Sequence, residues 1–275
     1  MSDGLANSDR ELLRTKRLLA KSELRRAELE HLIDTGQSFQ RRVLAEVEDA
    51  KAALQVANTK LTQEQERTDH LLKSIMPSSV ASELKQTGGV VPRRYEEATV
   101  MFADFVGFTA HAETLDPLIL VQILDQYYSE FDRIAANHVV EKVKTIGDAY
   151  MCVSGLNEDP KSATRMVDAA RDFLSFVKNI RPFGLAADAP GWKIRIGINS
   201  GPVLSGVIGY DRLSYDIWGD TVNTAARVVA GCGVNEILLS RSTYDLLIDQ
   251  EGYEPLGSIE AKGRGPVDVL RPAVL

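Results

Sequence analysis

The first proline of this chain is Pro77, and the only glycines before it are Gly4 and Gly36. Residues 1–76 are otherwise dense in Glu, Arg, Lys, Leu and Ala. Such a run has almost no helix breakers and many strong helix formers, so it is confined to helix. From Val43 onward a heptad is legible. One seam carries Val47, Leu54, Leu61, Thr68 and Ile75, and the alternating seam carries Val43, Ala50, Ala57, Glu64 and Leu71. That 3-4 spacing predicts a coiled coil. Ala, Thr and Glu on the seams weaken it and make the pairing adjustable. The earlier half (Leu12, Leu13, Leu18, Leu19, Leu24, Leu29, Leu32, Ile33) is amphipathic in a different register. Residues 34–38, around Gly36, read either as a break between two helices or as a skip in one. A lone solvated helix is the alternative, but this many aligned leucines call for a partner.

Pro77 ends the helix, because it lacks the N–H for the ladder and pushes Met76 out of helical geometry. A short helix over 78–86, capped by Ser78 or Ser79, leads to Gly88 and Gly89. The reading is a helical coiled-coil region over 1–76 that pairs chains, a linker over 77–92, and a folded domain over 93–275.

The 275 residues allow one sizeable domain plus an appendage. A formal net charge of −7, with no basic patch, argues against a general nucleic-acid binder. The cysteines, Cys152 and Cys232, make neither a disulfide framework nor a zinc pattern. With no apolar run of about 18 residues and no secretory leader, no membrane span is expected, and a cytoplasmic setting is the default.

After the linker, strands and helices alternate. Strands are predicted over 98–104, 139–146, 149–154, 192–199, 203–208 and 236–240, with a closing pair near 258–262 and 267–271. Helices are predicted over 117–138, 162–180 and 242–247. Gly147 and Asp148 read as a hairpin turn. The fold class is α+β with a βαβ core.

Three segments carry chemistry. In the first, Asp104 ends a buried strand and is followed by Phe105, Val106, Gly107, Phe108 and Thr109, a bend from which backbone N–H groups at a helix start can face phosphate oxygens. In the second, Lys144 precedes the Gly147-Asp148 turn. If the two strands are neighbours, Asp104 and Asp148 converge at one sheet end, as hard divalent cations require. In the third, Asp216 lies in a loop that becomes a helix at Gly219, with Asp220 or Thr221 as N-cap. Asn223 and Arg227 then leave that helix from one face.

Dense, ordered and correctly separated, these segments resemble the catalytic domain of class III nucleotidyl cyclases, over about 77–272. The junction before Pro77 resembles the one joining signalling coiled coils to such domains. The resemblance implies a ferredoxin-like sheet and two divalent cations, Mg²⁺ or Mn²⁺, on Asp104 and Asp148. It implies ATP as substrate and Asn223 and Arg227 as the groups holding the ribose and stabilising charge on the reacting phosphate. Lys262, in a glycine-flanked loop, is similar to the family's terminal-phosphate lysine, though such a loop also reads as an ordinary turn.

Lys144 and Asp216 occupy the base-reading positions, which are Lys and Asp in adenylate cyclases and typically Glu and Cys in guanylate cyclases. An ammonium only donates and a carboxylate only accepts, so the pair complements adenine N1 and the N6 amine. Lys144 can also donate to guanine O6, which keeps a guanylate cyclase open as an alternative. So does a silent cyclase-like relay module, although that reading predicts lost metal or Arg positions. His111 and His138 flank the first domain helix, and nothing places them as a general base. In this family the metal aspartates and the base-reading residues come from different subunits, so the resemblance implies a homodimer with shared sites. No sensor fold is visible, and one is expected upstream or in a separate protein.

Overall fold

The computed structural model describes residues 2–181, 191–261 and 265–273. Its contacts divide the chain into two units, Met1–Leu71 and Leu72–Leu275. Most of the first unit belongs to helix α1, Ser2–Ile75, which is 74 residues long and passes through 34–38 without interruption. Of the two readings of that segment, the break between helices is therefore overturned. One Gly inside a long helix costs only about 1 kcal/mol, which the flanking helix formers absorb. The seam side chains Val47, Leu54, Leu61, Leu71 and Ile75 are all more than half exposed.

At Met76-Pro77 the helix stops, and α2, Ser78–Thr87, begins with Pro77 itself as N-cap and no side-chain cap. Neither Ser78 nor Ser79 plays that part, because both already lie inside the first helical turn. Strand β1, Arg93–Phe105, follows. Next come α3, Phe108–Thr114, and α4, Pro117–Asn137, whose N-cap Asp116 accepts from the Leu118 N–H. The hairpin of β2, Glu141–Ile146, and β3, Ala149–Ser154, turns at Gly147, whose φ is 62°. Helix α5, Ser162–Asn179, returns the chain to β4, Ile194–Ile208. This last is one strand of 15 residues and not two around Gly201, because β1 pairs with it from Ile194 to Ser205, across Gly201, and β5 pairs with its last residues.

The remaining elements are β5, Ser214–Trp218; α6, Asp220–Ala230; β6, Ile237–Ser240; α7, Arg241–Tyr244; β7, Tyr253–Ala261; and β8, Gly265–Pro272. Asp216 thus lies on a strand, paired with Gly206 of β4, and not in a loop. The sheet runs β2-β3-β1-β4-β6-β8-β7, with β5 branching from β4. Its β4-β1-β3-β2 part, connected as βαββαβ, is the ferredoxin-like arrangement.

Alternation along β1 sends Met101, Ala103 and Phe105 to one face, and Val100 and Phe102 to the other. The first face is covered by α4 and α5, where the Phe131 and Phe173 rings stack at 4.2 Å. On the second face, Ala225 and Val229 of α6 pack over Val100, Phe102 and Met151. The approach of α6 is close because Gly197 of β4 lacks a side chain. A Cβ there would stand 2.2 Å from the Val229 nitrogen.

Candidate active site

Asp104 is the penultimate residue of β1, paired in register with Ala149 on one side and Arg195 on the other. That register places it beside Asp148, the turn residue before β3. Burial raises the Asp148 carboxyl above the usual carboxylate range, and the charge of Asp104 pushes the same way. Tyr128 of α4 senses both: its phenol is pushed up to about 12 by burial, then by Asp148 and Asp104. The Tyr128 hydroxyl donates to the Gly147 carbonyl at 3.4 Å and so ties α4 to the turn. Two crowded carboxylates offering only hard oxygen ligands suit Mg²⁺ or Mn²⁺, which bind through one or two carboxylates plus substrate phosphates. Among the described residues no third Asp, Glu, His or Cys completes a metal cluster.

Arg195 is the residue that sequence reasoning missed. Its guanidinium reaches the Asp104 carboxylate at 2.6 Å and also lessens the repulsion felt by Asp148. The available signal was its place as a lone charged residue within the apolar run of β4. What could not be read was which strand would lie beside it.

Lys144 and Asp216 stand 72 positions apart in sequence, and the structure brings Nζ to 2.5 Å from Oδ2. Asp216 is fixed further by its Oδ1, which accepts from the Ile217 N–H at 2.9 Å. The Lys144 side chain is 38 % exposed and that of Asp216 14 %. A half-open donor and a mostly buried acceptor therefore share one small surface.

On α6, Asn223 is exposed and Arg227 half-buried, one turn apart. The Nη1 atom of Arg227 is buried without a hydrogen-bond partner among the described residues, a guanidinium donor left unspent. The cap of α6 differs from expectation. Gly219 occupies the N-cap position with no side-chain cap, and the Thr221 hydroxyl donates to the Pro202 carbonyl at 2.7 Å. That bond anchors the helix start to β4, which a local cap would not do.

The Val106 N–H is taken by the Lys193 carbonyl at 2.8 Å, because β1 continues through Phe105. Phe105 packs against Tyr127 and Trp192, which makes it a core residue. Gly107, at φ 75°, turns the chain into α3, where Phe108 and Thr109 form the first turn. Lys262 lies outside the described residues. His138 is held by Asp172 at 2.7 Å, and among the described residues no hydrogen bond or ion pair joins it to Asp104 or Asp148.

Among the described residues no hydrogen bond or ion pair connects Asp104 and Asp148 to Lys144, Asp216, Asn223 or Arg227. The aspartate pair sits at the β1 end and the β2–β3 turn, Lys144 on β2, Asp216 on β5, and Asn223 and Arg227 on α6.

The domain is a βαββαβ sheet with an aspartate pair at the β1 end and the β2–β3 turn. Residues 90–270 match the family described as adenylate and guanylate cyclase catalytic domain, and the chain belongs to that family. A second match, described as haem NO binding associated, covers residues 32–84. An adenylate cyclase of Mycobacterium tuberculosis is 37 % identical over 205 residues, which are 74 % of this chain and 45 % of that protein. Retinal guanylyl cyclase 1 of Rattus norvegicus is 40 % identical over 76 % of this chain and 19 % of its own length. The chain thus spans less than half of these curated relatives. Among solved structures, the adenylyl cyclase CyaB of P. aeruginosa is 31 % identical with a TM-score of 0.61, covering 66 % of this chain and 95 % of that one. Relatives of both nucleotide specificities are present. No described helix is long and apolar enough to cross a membrane.

Proposed function

We propose that this chain converts ATP to 3′,5′-cyclic AMP and pyrophosphate, at sites shared between two copies. The observation that carries the choice of ATP is the Lys144–Asp216 pair, 2.5 Å apart. With adenine in place, Lys144 donates to N1 and Asp216 accepts from the N6 amine. Guanine in the same pose would set its N1–H against the ammonium and O6 against the carboxylate. Both mismatches leave polar groups unpaired, at about 1–3 kcal/mol each.

In the reaction the 3′-oxygen bonds to the α-phosphorus, the bond to the α/β-bridging oxygen breaks, and pyrophosphate leaves. Two divalent cations held by Asp104 and Asp148 would supply Lewis-acid stabilisation of the attacking and leaving oxygens. The chain's own contribution is positioning and charge. Asn223 holds the ribose, and Arg227 brings its unspent Nη1 to the charge that grows on the phosphate. Arg195, paired with Asp104 at 2.6 Å, holds that carboxylate in place for the cation it would bind. Lys262 is assigned to the terminal phosphate.

Membership of the cyclase family supports a homodimer, in which the aspartate pair of one copy meets Lys144, Asp216, Asn223 and Arg227 of its partner. The exposed seams of α1 fit a parallel coiled coil that aligns the two copies. The match of residues 32–84 supports regulation through that coil by a sensor module, upstream or in a separate protein. The test compares cyclic nucleotide formation from ATP and GTP by wild type, Asp104→Ala and Arg227→Ala. Each variant alone is expected to be inactive, and their mixture to recover up to about a quarter of wild-type activity by random pairing. Equal turnover of ATP and GTP would refute the base assignment. A mixture as inactive as its components would refute the shared site.

A further inference from the structure

Within the unit Leu72–Leu275, a cavity of about 750 Å³ lies between the end of α1, α2, β2 and the last turns of α4. That volume falls in the range of small-molecule sites. One part of its lining is apolar, with Met76, Val80, Val143 and Leu156, and another carries Glu141 and Tyr215. Glu141 is the anomaly. Its Oε2 is buried and has no hydrogen-bond partner among the described residues. Burial raises its carboxyl above the ordinary range, as expected of a group short of donors. Tyr215 is close enough that the Glu141 charge adds to the effect of burial in raising the phenol.

Of the cations on the lining, Lys73 is exposed and makes no hydrogen bond to Glu141 among the described residues, and the others are committed elsewhere. Arg93 is held by Glu83 at 2.6 Å and Lys142 by Asp132 at 2.9 Å. Lys144, three residues along β2, is taken by Asp216. A buried carboxylate oxygen left without a donor is costly, and native proteins satisfy such atoms with water or a ligand. The missing group is therefore a donor, and a positively charged one satisfies both the lone pairs and the charge.

We propose that this cavity is a regulatory site for a small organic ammonium ion, its N–H groups on Glu141 and its hydrocarbon body on Met76, Val80, Val143 and Leu156. Neither the cyclase family assignment nor the choice of ATP uses this cavity. Regulation follows from its walls. One side is the kink at Met76-Pro77, where the long helix ends, and the other is β2, which also carries Lys144 and is irregular in register between Lys142 and Lys144. A ligand that bridges the two favours one position of the kink relative to β2, and an equilibrium shifts by the difference in affinity for its states.

The experiment titrates the full chain by calorimetry with 4-phenylbutylamine, 4-phenylbutanol and 4-phenylbutyrate, which share one body and differ in head group. The amine is expected to bind at least tenfold more tightly than the alcohol, and the butyrate most weakly. Glu141→Gln abolishes the preference for the amine. Val80→Trp, which fills the apolar wall and leaves Glu141 in place, weakens amine and alcohol alike by tenfold or more. Saturating amine changes kcat/KM for whichever nucleotide the chain cyclises by at least threefold in wild type and not in Glu141→Gln. Equal affinity for amine and alcohol, a preference that survives Glu141→Gln, or binding with no change in rate would each overturn the proposal. The heat of binding is measured without nucleotide, so a wrong assignment of ATP leaves this result readable.

Discussion

Exchanging the base-reading pair tests the account of specificity most directly. The double variant Lys144→Glu, Asp216→Cys is preferable to either single change. In wild type the two side chains neutralise each other at 2.5 Å, and removing one leaves the other as an uncompensated charge. A hydrogen bond from a charged group contributes about 1.5–3 kcal/mol. Lys144, at 38 % exposure, belongs at the lower end of that range, and Asp216, at 14 %, at the upper end. Losing both contacts to adenine, while the new pair accepts guanine N1–H and ceases to repel O6, amounts to about 4 kcal/mol in the ATP-to-GTP preference. At 1.4 kcal/mol per decade that is about a thousandfold change in the ratio of kcat/KM values. The assay measures cyclic nucleotide formation from each substrate with Mg²⁺, alongside a thermal melt of both proteins. A variant that melts like wild type and keeps its substrate ratio within threefold would refute the claim that these two residues read the base.

Gly197→Ala should lower the melting temperature by about 6–12 °C. A methyl 2.2 Å from the Val229 nitrogen forces α6 away from β4 at a cost of about 3 kcal/mol, and the displaced Asn223 and Arg227 should reduce kcat more than KM. Asp148→Asn should abolish turnover yet melt higher than wild type at neutral pH without divalent cations. The folded carboxyl of Asp148 is raised above its unfolded value, so wild type loses stability as pH rises through that folded pKa, and the amide does not. Added Mg²⁺ should close the gap by stabilising wild type alone, and equal melts with and without Mg²⁺ would contradict the metal assignment. A chain lacking residues 1–71 should lose specific activity on dilution while the full chain holds it over the same range. Activity independent of concentration in a proven monomer would rule out sites shared between copies.

Much of this protein is fixed by local chemistry that the linear chain already contains. The run without helix breakers up to Pro77, the alternation of strands and helices, and the Gly147-Asp148 turn follow from backbone preferences acting over a few residues. The placement of Asn223 and Arg227 on one helix face follows from the helical repeat alone. Tertiary structure decided what depends on which strands become neighbours. It set Arg195 across from Asp104, made the segment around Asp216 a strand on β4, and drew Lys144 to Asp216 across 72 intervening positions. It spent the Val106 N–H on Lys193 and anchored Thr221 to Pro202 where a local cap had been expected. It also left the Glu141 Oε2 without a donor among the described residues, beside a cavity. Register is a property of pairs of strands, and no single stretch of sequence contains it.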